Sequence, residues 1–300
     1  MIHIQIPATS ANMGPGFDSI GLAVQLYNHI WVEEQESGLT IEVKRKQEIE
    51  IPTDETNLIY QTMQFFYEKK GLKMPGVHLI QEDEIPMARG LGSSAACIVG
   101  GLLAANELAG RPCDREELAQ MAASLEGHPD NSNPALFGGM VVGAQTEEKM
   151  GYVRLELPED LIFAVMVPDF PVSTSASRSV LPESYTRKDV VFNASRAALL
   201  VASVMTGKYE NFDMAMQDRI HQPYRAKLID GMEDIFEHAK AFGAVATYLS
   251  GAGSTLMAMV TRDKAAGFQK EMAAYLGTLP HNWKLQLLQA DREGAKIETE

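Results

Sequence analysis

The 300-residue sequence carries only two cysteines, Cys97 and Cys113, which do not form a Cys-x-x-Cys pair. So few thiols suit a reducing compartment, and the residue-level reading of both is small core side chains. A chain this long buries enough apolar surface to fold without disulfide or metal. Basic residues are scarce too: 26 Lys and Arg stand against 40 Asp and Glu, a formal net charge of -14. Nucleic acid or an anionic membrane as main partner would require a basic face, so neither is expected. Any phosphate would have to be held by backbone amides, a metal and a few placed cations. No apolar run approaches the ~20 residues of a membrane span. The start, Met1 to Pro7, alternates like a strand and lacks the cationic and apolar regions of a signal peptide. A cytoplasmic protein is expected.

What is present is an ordinary globular mixture, 45% hydrophobic and 22% charged, at a length that suggests about two domains. There is no repeat, low-complexity tract or long linker, so the division, residues 1–158 and 159–300, is soft. Alternation predicts strands at His3 to Ile6, Leu22 to Leu26, Ile30 to Glu34, Leu39 to Val43 and Val77 to Gln81. Pro7 to Phe17 reads as a turn-rich loop and His128 to Pro134 as a polar one. Helical spacing covers Asn57 to Lys69, with Leu58, Met63, Phe66 and Tyr67 as its buried stripe. A small, apolar and therefore buried helix runs from Ser93 to Leu108. Asp114 and Glu117 form a capping box for a helix to about Leu125. Gly138 to Gly143 and Tyr152 to Leu157 read as paired strands. The second unit opens with a strand, Leu161 to Val167. Helices follow at Arg187 to Thr206, Lys208 to Met216 and Tyr224 to Phe242. Strands at Ala244 to Ser250 and Leu256 to Val260, a helix from Lys264 to Leu276 and a last strand from Trp283 to Leu288 complete it.

The most informative segment is Gly90-Leu91-Gly92-Ser93-Ser94, between a strand and a helix. Glycines admit positive φ and close approach of a ligand. A first helical turn offers free N–H groups and the positive dipole end, a phosphate site. A plain strand–helix turn is the alternative. The Walker run, the dinucleotide fingerprint and the hydrolase Gly-x-Ser-x-Gly elbow are all absent. Two further segments narrow the reading: Pro7-Ala8-Thr9-Ser10-Ala11-Asn12-Met13-Gly14-Pro15-Gly16-Phe17-Asp18 and Leu249-Ser250-Gly251-Ala252-Gly253-Ser254-Thr255. With Pro86 to Ala96, in this order and spacing along almost the whole chain, they resemble the three motifs of the GHMP kinases, which phosphorylate small molecules with ATP. Ser173 to Arg178 with Leu181-Pro182, Asp218 to Arg225, Glu126 to Asn131 and Asp291 to Ala295 resemble the branch of that family whose substrate is L-homoserine. Two small departures are Ser254, where proline is common, and Ser132-Asn133, where Val-Ala is usual.

The resemblance implies an α+β fold: an N-terminal ribosomal-protein-S5-like α+β domain with the phosphate loop, and a C-terminal ferredoxin-like α/β domain. It implies ATP-dependent phosphorylation of the side-chain hydroxyl of L-homoserine, a step of threonine biosynthesis, with Mg²⁺ and, by family habit, a homodimer. It assigns the substrate to Asn12, Asp18, His128, Asn131, Thr174, Arg178 and Arg225. ATP falls to Asn57 and to Pro86, Met87, Ala88, Arg89, Gly90, Leu91, Gly92, Ser93, Ser94, Ala95 and Ala96, and Mg²⁺ to Ser94 and Glu126. Asp130 and Arg178 are the catalytic candidates, with no proton abstraction committed to Asp130. The chemistry agrees: arginine forks suit a carboxylate, and Asp18 and Asn12 suit an ammonium. The bland readings are a turn cap for Asp18, exposed ion pairs for Arg178 and Arg225, a loop histidine for His128 and a tight turn for Gly251 to Ser254. A family member with another alcohol substrate would not need Arg178 and Arg225. A non-catalytic ligand sensor would be expected to lack Ser94 or Glu126, and both are present.

Overall fold

The computed structural model describes residues 1–44, 49–146 and 149–299. Elements are numbered in chain order. The first unit contains β1 (Ile2–Ala11), β2 (Ile20–Gln35), β3 (Leu39–Val43), α1 (Leu58–Lys70), β4 (Gly76–Asp83), α2 (Ser93–Leu108), α3 (Arg115–Glu126), α4 (Ser132–Phe137), β5 (Met140–Gln145) and β6 (Met150–Leu155). The second contains β7 (Leu161–Val167), α5 (Thr174–Ser179), α6 (Arg187–Thr206), α7 (Phe212–Ala215), α8 (Gln222–Arg225), α9 (Met232–Ala241), β8 (Ala246–Leu249), β9 (Leu256–Thr261), α10 (Arg262–Leu276) and β10 (Lys284–Leu288). A last strand, β11 (Lys296–Thr299), returns to the first sheet, where it pairs antiparallel with β1. That sheet runs β11-β1-β2-β4-β3, with β5 on β2 and β6 on β5. The second runs β10-β7-β9-β8.

The expected strands and helices are largely in place, and the differences have physical causes. Pro7 does not end the first strand. β1 continues to Ala11, and the missing N–H is absorbed by a register shift between Pro7 and Ala8, the usual accommodation of proline in a sheet. The two expected strands after it are one, β2, because the residues between them still pair with β1. The expected helix from Tyr224 to Phe242 is broken at Gly231, whose φ is +73°, into α8, a 3₁₀ turn and α9. Lys208 to Met216 likewise splits into a 3₁₀ turn and α7, and part of the polar loop after His128 winds into α4. Leu58 is exposed, so the buried stripe of α1 is Ile59, Met63, Phe66 and Tyr67. The capping box of Asp114 and Glu117 forms as expected.

Why the units pack together is visible in β7, where every residue is buried. Phe163, Val165 and Val167 face a large cluster that continues through α2 and the first sheet. Ala164 and Met166 face a smaller cluster beneath α9 and α10. Strand periodicity thus divides one apolar run between two cores. Although Arg196 interrupts it, α6 is 20 residues long and apolar enough, by length and composition alone, to cross a membrane, unlike the uninterrupted runs considered above. It packs on α7 and leaves Val190, Val191 and Met205 exposed.

The C-terminal return is anchored from α3. Arg115 donates through Nη1 to Leu136 O (3.0 Å) and through Nη2 to Ala295 O (2.7 Å). Arg115→Met should therefore lower unfolding free energy by about 1–2 kcal/mol, seen as a reduced urea midpoint. An unchanged midpoint would mean the return is held by β11 pairing alone.

Candidate active site

A cavity of about 690 Å³ opens between the two units. Its centre is the loop Ala88 to Gly92, which runs from β4 into α2. Gly90 and Gly92 have φ of +78° and +70°. A Cβ at Gly90 would lie 2.3 Å from Ser250 O, and one at Gly92 would lie 1.9 Å from Thr9 Oγ1, so only glycine fits either place. The loop's carbonyls are used in succession. Ala88 O accepts from Val172 N (3.1 Å), Arg89 O from Thr255 N (3.0 Å), Gly90 O from Ser250 Oγ (2.6 Å) and Leu91 O from Thr9 N (3.1 Å). Turning the carbonyls into the protein leaves the amide side and the first turn of α2 toward the cavity. There Gly92 gives no side-chain cap, and the N–H groups of Ser93, Ser94 and Ala95 have no intrahelical acceptor. This is an anion cradle on a helix N-terminus.

At one end of the cavity the side chains are charged. Arg178, on the short helix that Ser173 caps, makes a two-pronged pair with Asp18 at 2.8 and 3.1 Å. Asp18 holds φ +56°, and its N–H donates to Asn12 Oδ1 (3.0 Å) while Asn12 Nδ2 donates to Gly251 O (3.2 Å). Arg225 is buried. It donates to Gly251 O (2.8 Å) and, at 3.3 Å, to Ser177 O, with His221 Nδ1 at the same distance. Burial and the neighbouring Arg178 lower its pKa to about 10, so it stays cationic at neutral pH. No carboxylate pairs with it among the described residues. Burial lowers the pKa of His221, whose Nε2 is 2.7 Å from Gly14 O. The neutral tautomer with Nε2–H therefore fits, leaving Nδ1 to accept from Arg225. Asp218 builds this corner by accepting from the amides of Ile220, His221 and Gln222 and from Asn193 Nδ2.

The floor holds Glu126, His128 and Asp130. Asp130 is buried and bonded to His128 Nδ1 at 2.6 Å, and that bond raises the histidine pKa. Burial pushes Glu126 up to about 7; His128 opposes the shift and Asp130 adds to it. Its Oε2 accepts from Ser132 N (3.1 Å). A carboxyl raised in this way favours ionisation once a cation is near, and Ser94 also lines the cavity. Ligand atoms of Asp18, His128 and Asp130 lie within 4.8 Å of one another. However, Asp18 is spent on Arg178 and Asp130 on His128, so that trio is the poorer cation site.

The other end is mixed. Asn57 caps α1 through Oδ1, accepting from Ile59 N (2.9 Å), and its Nδ2 donates to Pro52 O and Gln81 Oε1. Its polar atoms are thus committed to the wall. Beside it lie Gln81 and Asp83, joined at 2.7 Å, with Ile51, Leu58, Cys97 and Ile98 supplying apolar surface. Burial pushes Asp83 up to about 6.

Every expected site residue lines this one cavity except Ala96. Ala96 is fully buried, with its N–H already given to Gly92 O, so it belongs to the helix core and not to the cradle. Arg89 lines the cavity, but its guanidinium donates to Pro168 O (3.1 Å), Asp169 O (2.9 Å) and Met87 O (3.2 Å). That spends much of its hydrogen-bonding capacity on backbone carbonyls. Sequence reading missed Gln81 and Asp83, for which there was a signal. In β4 the inward positions Val77 and Leu79 continue as Gln81 and Asp83, polar residues on a core face. It also missed Val172, which carries no distinguishing residue type, whereas Ser173 and Ala252 lie in motif segments already singled out.

Two family models match the chain: the GHMP kinases N terminal domain over residues 57–139, and the GHMP kinases C terminal over residues 200–277. The chain is 44% identical to a homoserine kinase of Clostridium novyi (strain NT) over 99% of both chains. It is 42% identical to a homoserine kinase of Petrotoga mobilis over 99% of this chain and 96% of that one. The crystal structure of homoserine kinase from Cytophaga hutchinsonii superposes with a TM-score of 0.90 at 27% identity, covering 99% and 97% of the two chains. A Lactococcus lactis galactokinase shares the fold at 14% identity, with a TM-score of 0.74 over 98% and 95%.

The raised Asp83 makes a pH prediction for the unliganded protein. Its folded pKa exceeds its unfolded value, so its contribution to stability is fully present below about pH 4 and lost as pH rises through about 6, a change of about 3 kcal/mol. Asp83→Asn should flatten the urea midpoint across that window. An equal slope in wild type and variant would place the proton elsewhere.

Proposed function

Because the chain belongs to the GHMP kinase family, and within it to the homoserine kinases, we propose that the cavity between its two units holds ATP on the Gly90–Ser94 cradle and L-homoserine at the Arg178–Arg225 end. The reaction is ATP-dependent phosphorylation of the homoserine side-chain hydroxyl to O-phospho-L-homoserine, a step of threonine biosynthesis. One observation carries the placement: a carboxylate, Asp18, lies between an exposed arginine and a buried one that lacks an anionic partner. A zwitterionic amino acid complements that pattern. Binding would exchange the Asp18–Arg178 pair for two substrate pairs: the ammonium takes Asp18, and the carboxylate takes the fork of Arg178 and the charge of Arg225. An uncharged alcohol would leave Arg225 buried without a direct ion-pair partner, an expensive arrangement.

Phosphoryl transfer is mostly positioning and charge neutralisation. The amides of Gly90 to Ser94 take the ATP phosphates, and the mixed end beside Asn57 takes the base. Ser94 and Glu126 would hold Mg²⁺, whose chemistry there is neutralisation of phosphate charge. Thr174 and Asn131 border the space where the hydroxyl must lie. Thr9 Oγ1 holds Asn131 Oδ1 at 2.9 Å. Asp130 orients His128, which borders the same space. Two free thiols suit a cytoplasmic enzyme, and a homodimer follows the family's habit.

The test is ADP release by purified protein with ATP and Mg²⁺ against L-homoserine, L-threonine, mevalonate, galactose and shikimate. Turnover is expected with L-homoserine. Turnover only with an uncharged alcohol would remove the carboxylate argument. Arg225→Met should raise KM for homoserine about 100-fold and leave KM for ATP within about twofold. Equal KM effects on both substrates would instead mean that the whole cavity had collapsed.

A further inference from the structure

Arg89 lies in the middle of the phosphate loop, and a cation there reads as a phosphate ligand. Its geometry points elsewhere. Arg89 is 5% exposed. Its Nε and Nη2 donate to Pro168 O and Asp169 O at 3.1 and 2.9 Å, carbonyls at the end of β7. From Asp169 the chain runs in a few residues to Val172, whose N–H donates to Ala88 O (3.1 Å), and then to Ser173, the cap of the helix that carries Thr174 and Arg178. Two residues of the phosphate loop therefore grip both ends of the short segment that delivers the amino-acid-binding arginine. The fork is planar and reaches two successive carbonyls at once, so any displacement of 168–172 against the loop is felt at Arg89.

We propose that Arg89 is a positioning residue that couples the two substrate sites, so that seating the amino acid on Arg178 sets the geometry of the phosphate cradle and the reverse. The inference rests on the functional reading above. It assigns Arg89 no contact with phosphate. Coupling of this kind is reciprocal: each ligand tightens the other by the same factor. Its source here is a rigid link, since one side chain bridges the loop and the segment leading to α5.

The experiment is calorimetric binding of ADP and of a nonhydrolysable ATP analogue, without and with saturating L-homoserine, in wild type and in Arg89→Met. Wild type should bind the analogue about fivefold or more tightly when homoserine is present. In Arg89→Met that enhancement should fall toward one and kcat should fall about tenfold, with ADP affinity in the absence of homoserine within about twofold of wild type. Arg89→Lys, which keeps the charge but loses the fork, should retain only part of the enhancement. It also provides the measurement should the methionine variant fail to fold. A tenfold loss of ADP affinity without homoserine would make Arg89 a direct phosphate ligand and overturn the proposal. So would a lowered melting temperature with kcat and enhancement unchanged, or a wild type without enhancement. Wild-type turnover of L-homoserine is measured first. Its absence defeats the functional reading, whereas turnover with undiminished enhancement in Arg89→Met defeats this inference alone.

Discussion

The site depends on one constraint: the peptide groups from Ala88 to Leu91 must keep their carbonyls turned into the protein. A phosphate cradle needs amides pointing one way, and a strand-to-helix turn left to itself would satisfy its carbonyls with water in several arrangements. Here three of the four acceptors are met by the second unit, through Val172, Thr255 and Ser250, and the fourth by Thr9 of β1. Ser250 Oγ also lies 2.7 Å from Ser10 Oγ, so the strand bearing Thr9 is drawn into the same network. Each bond contributes about 1 kcal/mol net. Their joint effect is to give the loop one conformation before ligand arrives, which spares ordering entropy on binding.

The second theme is charge at low dielectric. The chain is strongly acidic overall, yet its cavity places Arg178 and Arg225 around a single carboxylate. Burying Arg225 without a directly paired carboxylate leaves a positive charge that Asp18, Asp218 and Asp130 offset only from a distance, and its depressed pKa reports the cost of burial. Glu126 and Asp83 report the mirror situation, two carboxyls pushed up by burial. Unliganded, the cavity is a region of mismatched charges, and on the function proposed above their partners arrive with nucleotide, cation and amino acid. Stability is conceded locally so that binding energy can be recovered.

How much of this was legible in the sequence differs by feature. The cradle was readable because two glycines stand between a strand and a helix, and Arg178 and Arg225 were readable only through the family resemblance, with which the chemistry of an amino acid agrees. The substrate loop was placed but its shape was not. Asn12, Met13 and Asp18 all adopt positive φ, which no residue-type rule predicts for methionine. The continuation of β1 through Pro7 was hidden because proline reads as a breaker until the register shift is seen. The role of Arg89 was hidden because a side chain's direction is set by what packs over it, here carbonyls 79 and 80 residues away. Gln81 and Asp83 were readable in principle, since alternation in β4 puts them inside.

The return of β11 to the first sheet sets Ile2 opposite Thr299. An order of events follows. The N-terminal unit gains its outermost strand only after every residue of the second unit has been made, so during synthesis β1 waits as an unpaired edge while the second unit folds. It also follows that the two ends of the described chain sit side by side. A short linker could join them and new ends be opened in a surface loop, giving a circular permutant in which the first sheet is closed from the outset.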